Sequence, residues 1–235
     1  MRRSKVLVPA YLIASFLWAS LAALPWPATA QTTSQEQAAP YSVAVIGDQP
    51  YGSFFESTTT RLLQTIDDDP AVMMVLHTGD IKGGGESCDD ELLKSRIDQM
   101  NQSPKPLIYA IGDNEWTDCH RTSNGSYDPQ ERLQFLRDYA FENPSTSLGQ
   151  DPISVSHQGE EGYPEHQMFR VASTLFVVLN VPGSNNNLSA PSSRKDSPEN
   201  IKAQFETRHQ AINRWLVRAI DYIKEHSMTE WVVLI

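Results

Sequence analysis

LIYAIGDNEWTDC, Leu107–Cys119, sets an apolar run against a Gly-Asp break at Gly112 and Asp113. Two upstream stretches repeat the arrangement: SVAVIGDQPYG (Ser42–Gly52), with Gly47 and Asp48, and VMMVLHTGDIKGG (Val72–Gly84), with Gly79 and Asp80. A short apolar run without polar alternation suits a strand buried on both faces. Glycine then lets the backbone turn sharply and leaves an acidic side chain at the strand's carboxyl end. In open α/β sheets ligands bind at that edge, so the pattern predicts that Asp48, Asp80 and Asp113 converge on one rim. Gly-Asp also marks ordinary turns, but three such pairs at equivalent strand ends favour a shared site. Carboxylates crowded together repel unless a cation sits between them, which points to one or two hard or borderline metal ions.

The segments around these runs supply the connections. Ser57 to Ile66 reads as a helix with Leu62, Leu63 and Ile66 on one side. A second helix over about Asp89 to Met100 carries Leu92, Leu93, Ile97 and Met100 at helical spacing. With strands at Ser42 to Ile46, Val72 to His77 and Leu107 to Ile111, the order β, α, β, α, β predicts a parallel sheet with right-handed crossovers. Asp128-Pro129-Gln130-Glu131 has the composition of a helix start, and that helix runs to about Tyr139. Asn143 to Tyr163 reads mostly as loop, Met168 to Ala172 and Leu175 to Leu179 as a hairpin, and Asn180 to Pro198 as a long polar loop, functional or disordered. Asn200 to Glu225 is periodic enough for a long amphipathic helix, and Trp231 to Ile235 begins another strand.

Upstream, Arg2, Arg3 and Lys5 precede an apolar run that closes on Ala28-Thr29-Ala30, the layout of a cleaved secretory signal over residues 1–30. Residues 31–40 are polar and read as a flexible lead-in, with one domain over 41–235. The expected location is periplasmic or secreted, with no membrane contact after signal cleavage. Cleavage removes three basic and no acidic residues, taking the formal charge from −10 to −13. Such a surface repels phosphate backbones, so nucleic acid is not an expected partner, whereas a metal site still admits a small phosphorylated substrate. The two cysteines, Cys88 and Cys119, are an even count in an exported chain, which favours a disulfide joining two rim loops. No P-loop, G-x-S-x-G or H-E-x-x-H is present, so NTPase, serine-hydrolase and zincin readings gain no support.

The order and spacing of the three Gly-Asp motifs resemble those of the calcineurin-like metallophosphoesterases, the superfamily that includes purple acid phosphatases. That family's pattern is D-x-H, then G-D, then G-N-H-[DE], then a His after a later strand, then G-H-x-H. The resemblance implies an α/β fold, a calcineurin-like β-sandwich flanked by helices in four layers (α/β/β/α), incomplete at the carboxyl end because the chain stops at Ile235 before the last two motifs. Carried over by position, Asp48 matches the first metal ligand, with Pro50 where the motif has His and Tyr51 directly after it. Asp80 matches the bridging aspartate. Asp113 replaces the asparagine ligand, and Asn114 stands where the family has the histidine that protonates the leaving group; a one-residue slip makes Asn114 the ligand instead. Glu115, His120 and Arg121 are the candidates for the missing acid or anion contact. His77 reads as a packed histidine, and His157 and His166 as surface residues.

By this resemblance the protein is an exported hydrolase that cleaves phosphate esters with a metal-activated hydroxide, using two divalent or trivalent ions of Fe, Mn or Zn. The intact protein is then the enzyme, and a chain stopping at Ile235 is inactive. The competing expectation is a non-catalytic relative that uses the strand-end rim and the 180–198 loop as a binding surface.

Overall fold

The computed structural model describes residues 41–189, 191–228 and 230–234; the export signal and lead-in expected over residues 1–40 lie outside them. Parallel strands β1 (Ser42–Ile46), β2 (Val72–His77) and β3 (Leu107–Tyr109) form one sheet in that order. They are joined by α1 (Glu56–Asp67) and α2 (Asp90–Asn101). Helix α3 (Pro129–Ala140) leads into a second sheet, where β4 (Ser156–Gln158), β5 (Tyr163–Val171) and β6 (Thr174–Val178) are antiparallel. A left-handed turn, α4 (Gly183–Asn187), and the long helix α5 (Pro198–Glu225) follow, and β7 (Glu230–Leu234) returns parallel to β6. Among the described residues no helix is long and apolar enough to cross a membrane.

Strand alternation explains the layering. Val75, Leu107 and Tyr109 pack against Leu63, Leu93, Ile97, Leu133 and Leu136 from the first three helices. Their neighbours Met74, Leu76 and Ile108 face the other way, onto Phe169, Phe176 and Val178 of the second sheet. On that sheet's far side Leu175 and Val177 meet Ile212, Trp215 and Ala219 of α5. The protein is therefore mixed α/β, two sheets face to face between helices. Each fully buried aliphatic or aromatic side chain here contributes about 1.5–3 kcal/mol of burial free energy.

Several expectations needed correction. Strand β1 is not buried on both faces: it is the edge of its sheet, and Val45 is 62% exposed. The segment expected as loop up to Tyr163 contains β4, and β5 begins at Tyr163 rather than Met168. Its polar residues conceal the strand, because Gln158, Glu165, His166 and Gln167 are all buried. Their polar atoms find partners in the helices and in each other. Arg137 pairs with Glu165, the Gln158 amide donates to the carbonyl of Ala211, and the Gln158 amide oxygen meets His166 Nδ1 at 2.8 Å. His166 is thus an interior residue. Helix α5 begins two residues earlier than periodicity suggests, with Ser197 as the cap and Pro198 in the first turn.

Candidate metal centre

Across the first sheet, Ile46, His77 and Tyr109 lie in register, so the three chains leave the sheet along one edge. Asp48 follows Ile46 by two residues, Asp80 follows His77 by three, and Asp113 follows Tyr109 by four. The loops interlock through the backbone: Asp48 N–H donates to Gly79 O at 3.1 Å and Thr78 N–H to Ile46 O at 2.8 Å. Glycine is required at the third loop, because a Cβ on Gly112 would stand 2.2 Å from Asp80 Oδ1 and 2.3 Å from its amide nitrogen. Asp48 and Asp80 occupy the left-handed region, at φ 58° and 57°. For a non-glycine residue that conformation costs on the order of 1–2 kcal/mol, and such strain gathers at functional sites.

Tyr51 ties the first two aspartates together. Its hydroxyl donates to Asp48 Oδ1 at 2.9 Å and lies 3.4 Å from Asp80 Oδ2, while the Asn114 amide donates to the same hydroxyl at 3.2 Å. Burial and the hydrogen bond to Asp48 push the Tyr51 phenol well above its ordinary range. Asn114 also donates its backbone N–H to Asp80 Oδ1 at 3.1 Å and its side-chain amide to Lys82 O at 3.1 Å. Asp113 sits beside Asp80. Burial, Asp80 and then Asp118 raise its carboxyl to about 6. Gly183 of α4 closes over it, since a Cβ there would lie 2.0 Å from Asp113 Oδ2. The α4 turn therefore lies against the rim at Asp113, and buried Arg194 holds its end through the Asn187 carbonyl and side chain while pairing with Asp196.

The candidate acids are placed unequally. Glu115 is fully buried beneath the rim, out of reach of a substrate. One of its oxygens accepts from Tyr109 Oη (2.7 Å), Gly112 N (2.7 Å) and Asp80 N (3.2 Å), so this carboxyl pins the second loop to the third. His120 bonds Thr117 O through Nδ1 at 2.6 Å and lines a cavity of about 70 Å³ with Asp128 and Arg194, which none of the three aspartates reaches. Arg121 is half exposed, pairs with Asp118 at 2.6 Å and is close enough to hold the Asp113 carboxyl down. His77 is buried with both ring nitrogens engaged, Nδ1 accepting from Gly79 N–H and Nε2 donating to Gln49 O. Burial lowers its pKa to about 4, so it is a neutral brace.

Two neighbours escaped the sequence reading. Lys82 is completely buried, donating to Gly83 O (3.2 Å) and Glu86 O (3.1 Å). Burial lowers its pKa against the opposing influence of Glu115, Glu86, Asp118 and Asp80. Asp118, held by Arg121, adds a further carboxylate behind Asp113. Their only sequence signal was position, two residues after Asp80 and five after Asp113.

The donors at the rim are carboxylate, amide and phenol oxygens, and the neighbouring His77 has both ring nitrogens engaged. Among the described residues no three His, Cys, Asp or Glu side chains come together as a ready metal-binding group. No protein-family model matches the chain, and comparison with curated proteins and with solved structures found no match.

Glu115 gives the site a pH signature. Burial, and then Asp80, raise its carboxyl from 4.5 to about 7. A folded value above the unfolded one means that its stabilising contribution is complete at low pH and lost as pH rises through about 7. Buried His77 and His166 have lowered values and oppose this trend, so the readout is a difference between two proteins. Between about pH 5 and pH 8, the stability of the parent relative to Glu115→Gln should fall. Urea unfolding at each pH checks this, and a difference independent of pH would count against a neutral buried Glu115.

Proposed function

We propose, against the expectation of inactivity drawn from the missing carboxyl-terminal motifs, that this chain is an exported metal-dependent phosphoesterase related to the calcineurin-like enzymes, with its cation held by Asp48, Asp80 and Asp113. The observation that carries the reading is the strained pair Asp48 and Asp80, both left-handed at adjacent strand ends and both in contact with one tyrosine hydroxyl. Asp113, crowded by Asp80 and Asp118, is the third member of an acidic group that a cation would relieve.

The donor chemistry fits one hard ion, Mg²⁺ or Mn²⁺, better than a pair of Fe or Zn ions, which favour imidazole. A divalent cation bound there polarises the phosphoryl group and lowers the pKa of water. The chain's own residues do the rest. Tyr51 and Asn114 keep the aspartates in place. The half-exposed Arg121 guanidinium offers hydrogen bonds to phosphoryl oxygens. Water adds to phosphorus and gives up a proton to solvent, the ester P–O bond breaks, and the alcohol leaves with a proton taken from solvent, since Glu115 is out of reach and an amide at Asn114 does not protonate. Without a positioned acid, esters with good leaving groups should react fastest.

The assay is release of p-nitrophenol from p-nitrophenyl phosphate and from its bis ester, with and without Mn²⁺. Mn²⁺-dependent release that disappears in Asp48→Asn is expected. Metal binding without turnover of either ester would instead favour the non-catalytic reading, in which the same rim binds its ligand unchanged.

A further inference from the structure

Beside the rim, a cavity of about 370 Å³ is walled by Asp48, Gln49 and Tyr51 on one side and by Phe55, Thr58 and Thr59 on the other. Asp48 and Tyr51 thus belong both to this cavity and to the candidate metal centre. The adjoining turn, Ser53–Phe55, of which Phe55 lines the cavity, carries two aromatic side chains that the core does not use: Phe54 is 80% exposed and Phe55 48%. Their rings meet edge to face, with centroids 5.2 Å apart and planes at 89°. Gly52 leads into the turn at φ 79°, and a Cβ there would meet no atom within 4 Å, so approach from this side is open.

Adjacent exposed phenylalanines leave apolar surface in water for no gain in folding. Here Phe55 lines a concavity, at the low end of the size range of small-molecule pockets, that shares Asp48 and Tyr51 with the rim. We propose that this cavity is the leaving-group subsite of the phosphoesterase read above, and that it takes a planar aromatic ring, as in an aryl phosphate or a nucleotide. The proposal rests on that reading. A phosphoryl group at the Asp48–Asp80 rim puts the ester substituent beside Tyr51 and Phe55. A flat ring there gains aromatic contact that a short alkyl or polyol group lacks.

The test uses non-hydrolysable phosphonates with Mn²⁺ present. Phenylphosphonate should bind the protein about tenfold more tightly than methylphosphonate. In Phe55→Ala the ratio should fall toward one, while Val217→Ala, which removes an exposed apolar side chain on α5, should keep the parent's ratio. Binding of both phosphonates with equal affinity would overturn the aromatic subsite and leave the phosphoesterase reading standing. Failure of both to bind overturns the two together. Phenyl phosphate, adenosine 5′-monophosphate and glycerol 2-phosphate, compared by kcat/KM, then separate the two sources of ring. Preference for either aromatic ester over glycerol phosphate supports the proposal, and the preferred one names the source. Equal values for all three would overturn it.

Discussion

Replacing both Cys88 and Cys119 by serine should cost about 3–4 kcal/mol of stability. The bond is present, with Cα atoms 5.7 Å apart and 31 residues of sequence separation. In the chain-entropy account, a loop of that length is what sets the figure. For a domain of this size the loss corresponds to a fall of roughly 10 °C in Tm. The effect should reach the rim as well, because both sulfurs lie against the carbonyl of Asn114, at 3.7 and 3.8 Å. With the bond gone, the loop after Asp80 and the loop after Asp113 are held chiefly by Glu115 and by hydrogen bonds to Asn114. Thermal unfolding of the double variant checks the first part. A loss below about 1 kcal/mol would mean that the reduced chain keeps these loops together without the bond.

Asp80→Asn should weaken Mn²⁺ binding on the order of 100-fold, and Glu115→Gln far less. Asparagine keeps the shape of the side chain and tolerates the left-handed backbone at this position, φ 57°, so the fold should survive. What it loses is negative charge at the centre of the acidic group, beside Asp113 and in contact with Tyr51. Glu115 is buried beneath the rim and holds backbone amides, so its replacement acts on stability and pH response more than on the ion. The shift of Tm with added Mn²⁺ measures both variants. Equal shifts in the two would remove Asp80 from the site.

The first half of the fold was legible because each strand there is a short apolar run ending at Gly-Asp, and each helix buries one face. Strands β1 and β2 fall at the boundaries read from sequence, and Asp128 and Pro129 start α3 as expected. The second half was less legible. Strand β5 buries Glu165, His166 and Gln167, and a polar strand has no apolar signature when its polar atoms are satisfied by Arg137 of α3 and Gln158 of β4. The turn at α4 is concealed for a similar reason. Ser184 to Asn187 are all left-handed, held by Arg194 and Arg208, and no local pattern announces a turn that two later arginines stabilise.

Sequence order picked out the three aspartates that follow the strand ends, but depth was invisible to it. Glu115 sits two residues from Asp113 and reads as an available acid. The sharp turn at Gly112 sends it under the sheet edge, where its carboxyl binds backbone amides. Tyr51 shows the reverse: its register against the motif was off, yet its hydroxyl lies between Asp48 and Asp80.

The central claim is that Asp48, Asp80 and Asp113 together hold a cation. Calorimetric titration of Mn²⁺ into the protein at about pH 5.5 tests it most directly, because metal binding should drive the raised proton off Asp113. The account predicts one Mn²⁺ per chain, with proton release that diminishes as pH rises past about 6 and is reduced in Asp113→Asn. No saturable Mn²⁺ binding, or binding unchanged in Asp113→Asn and Asp80→Asn, would contradict it.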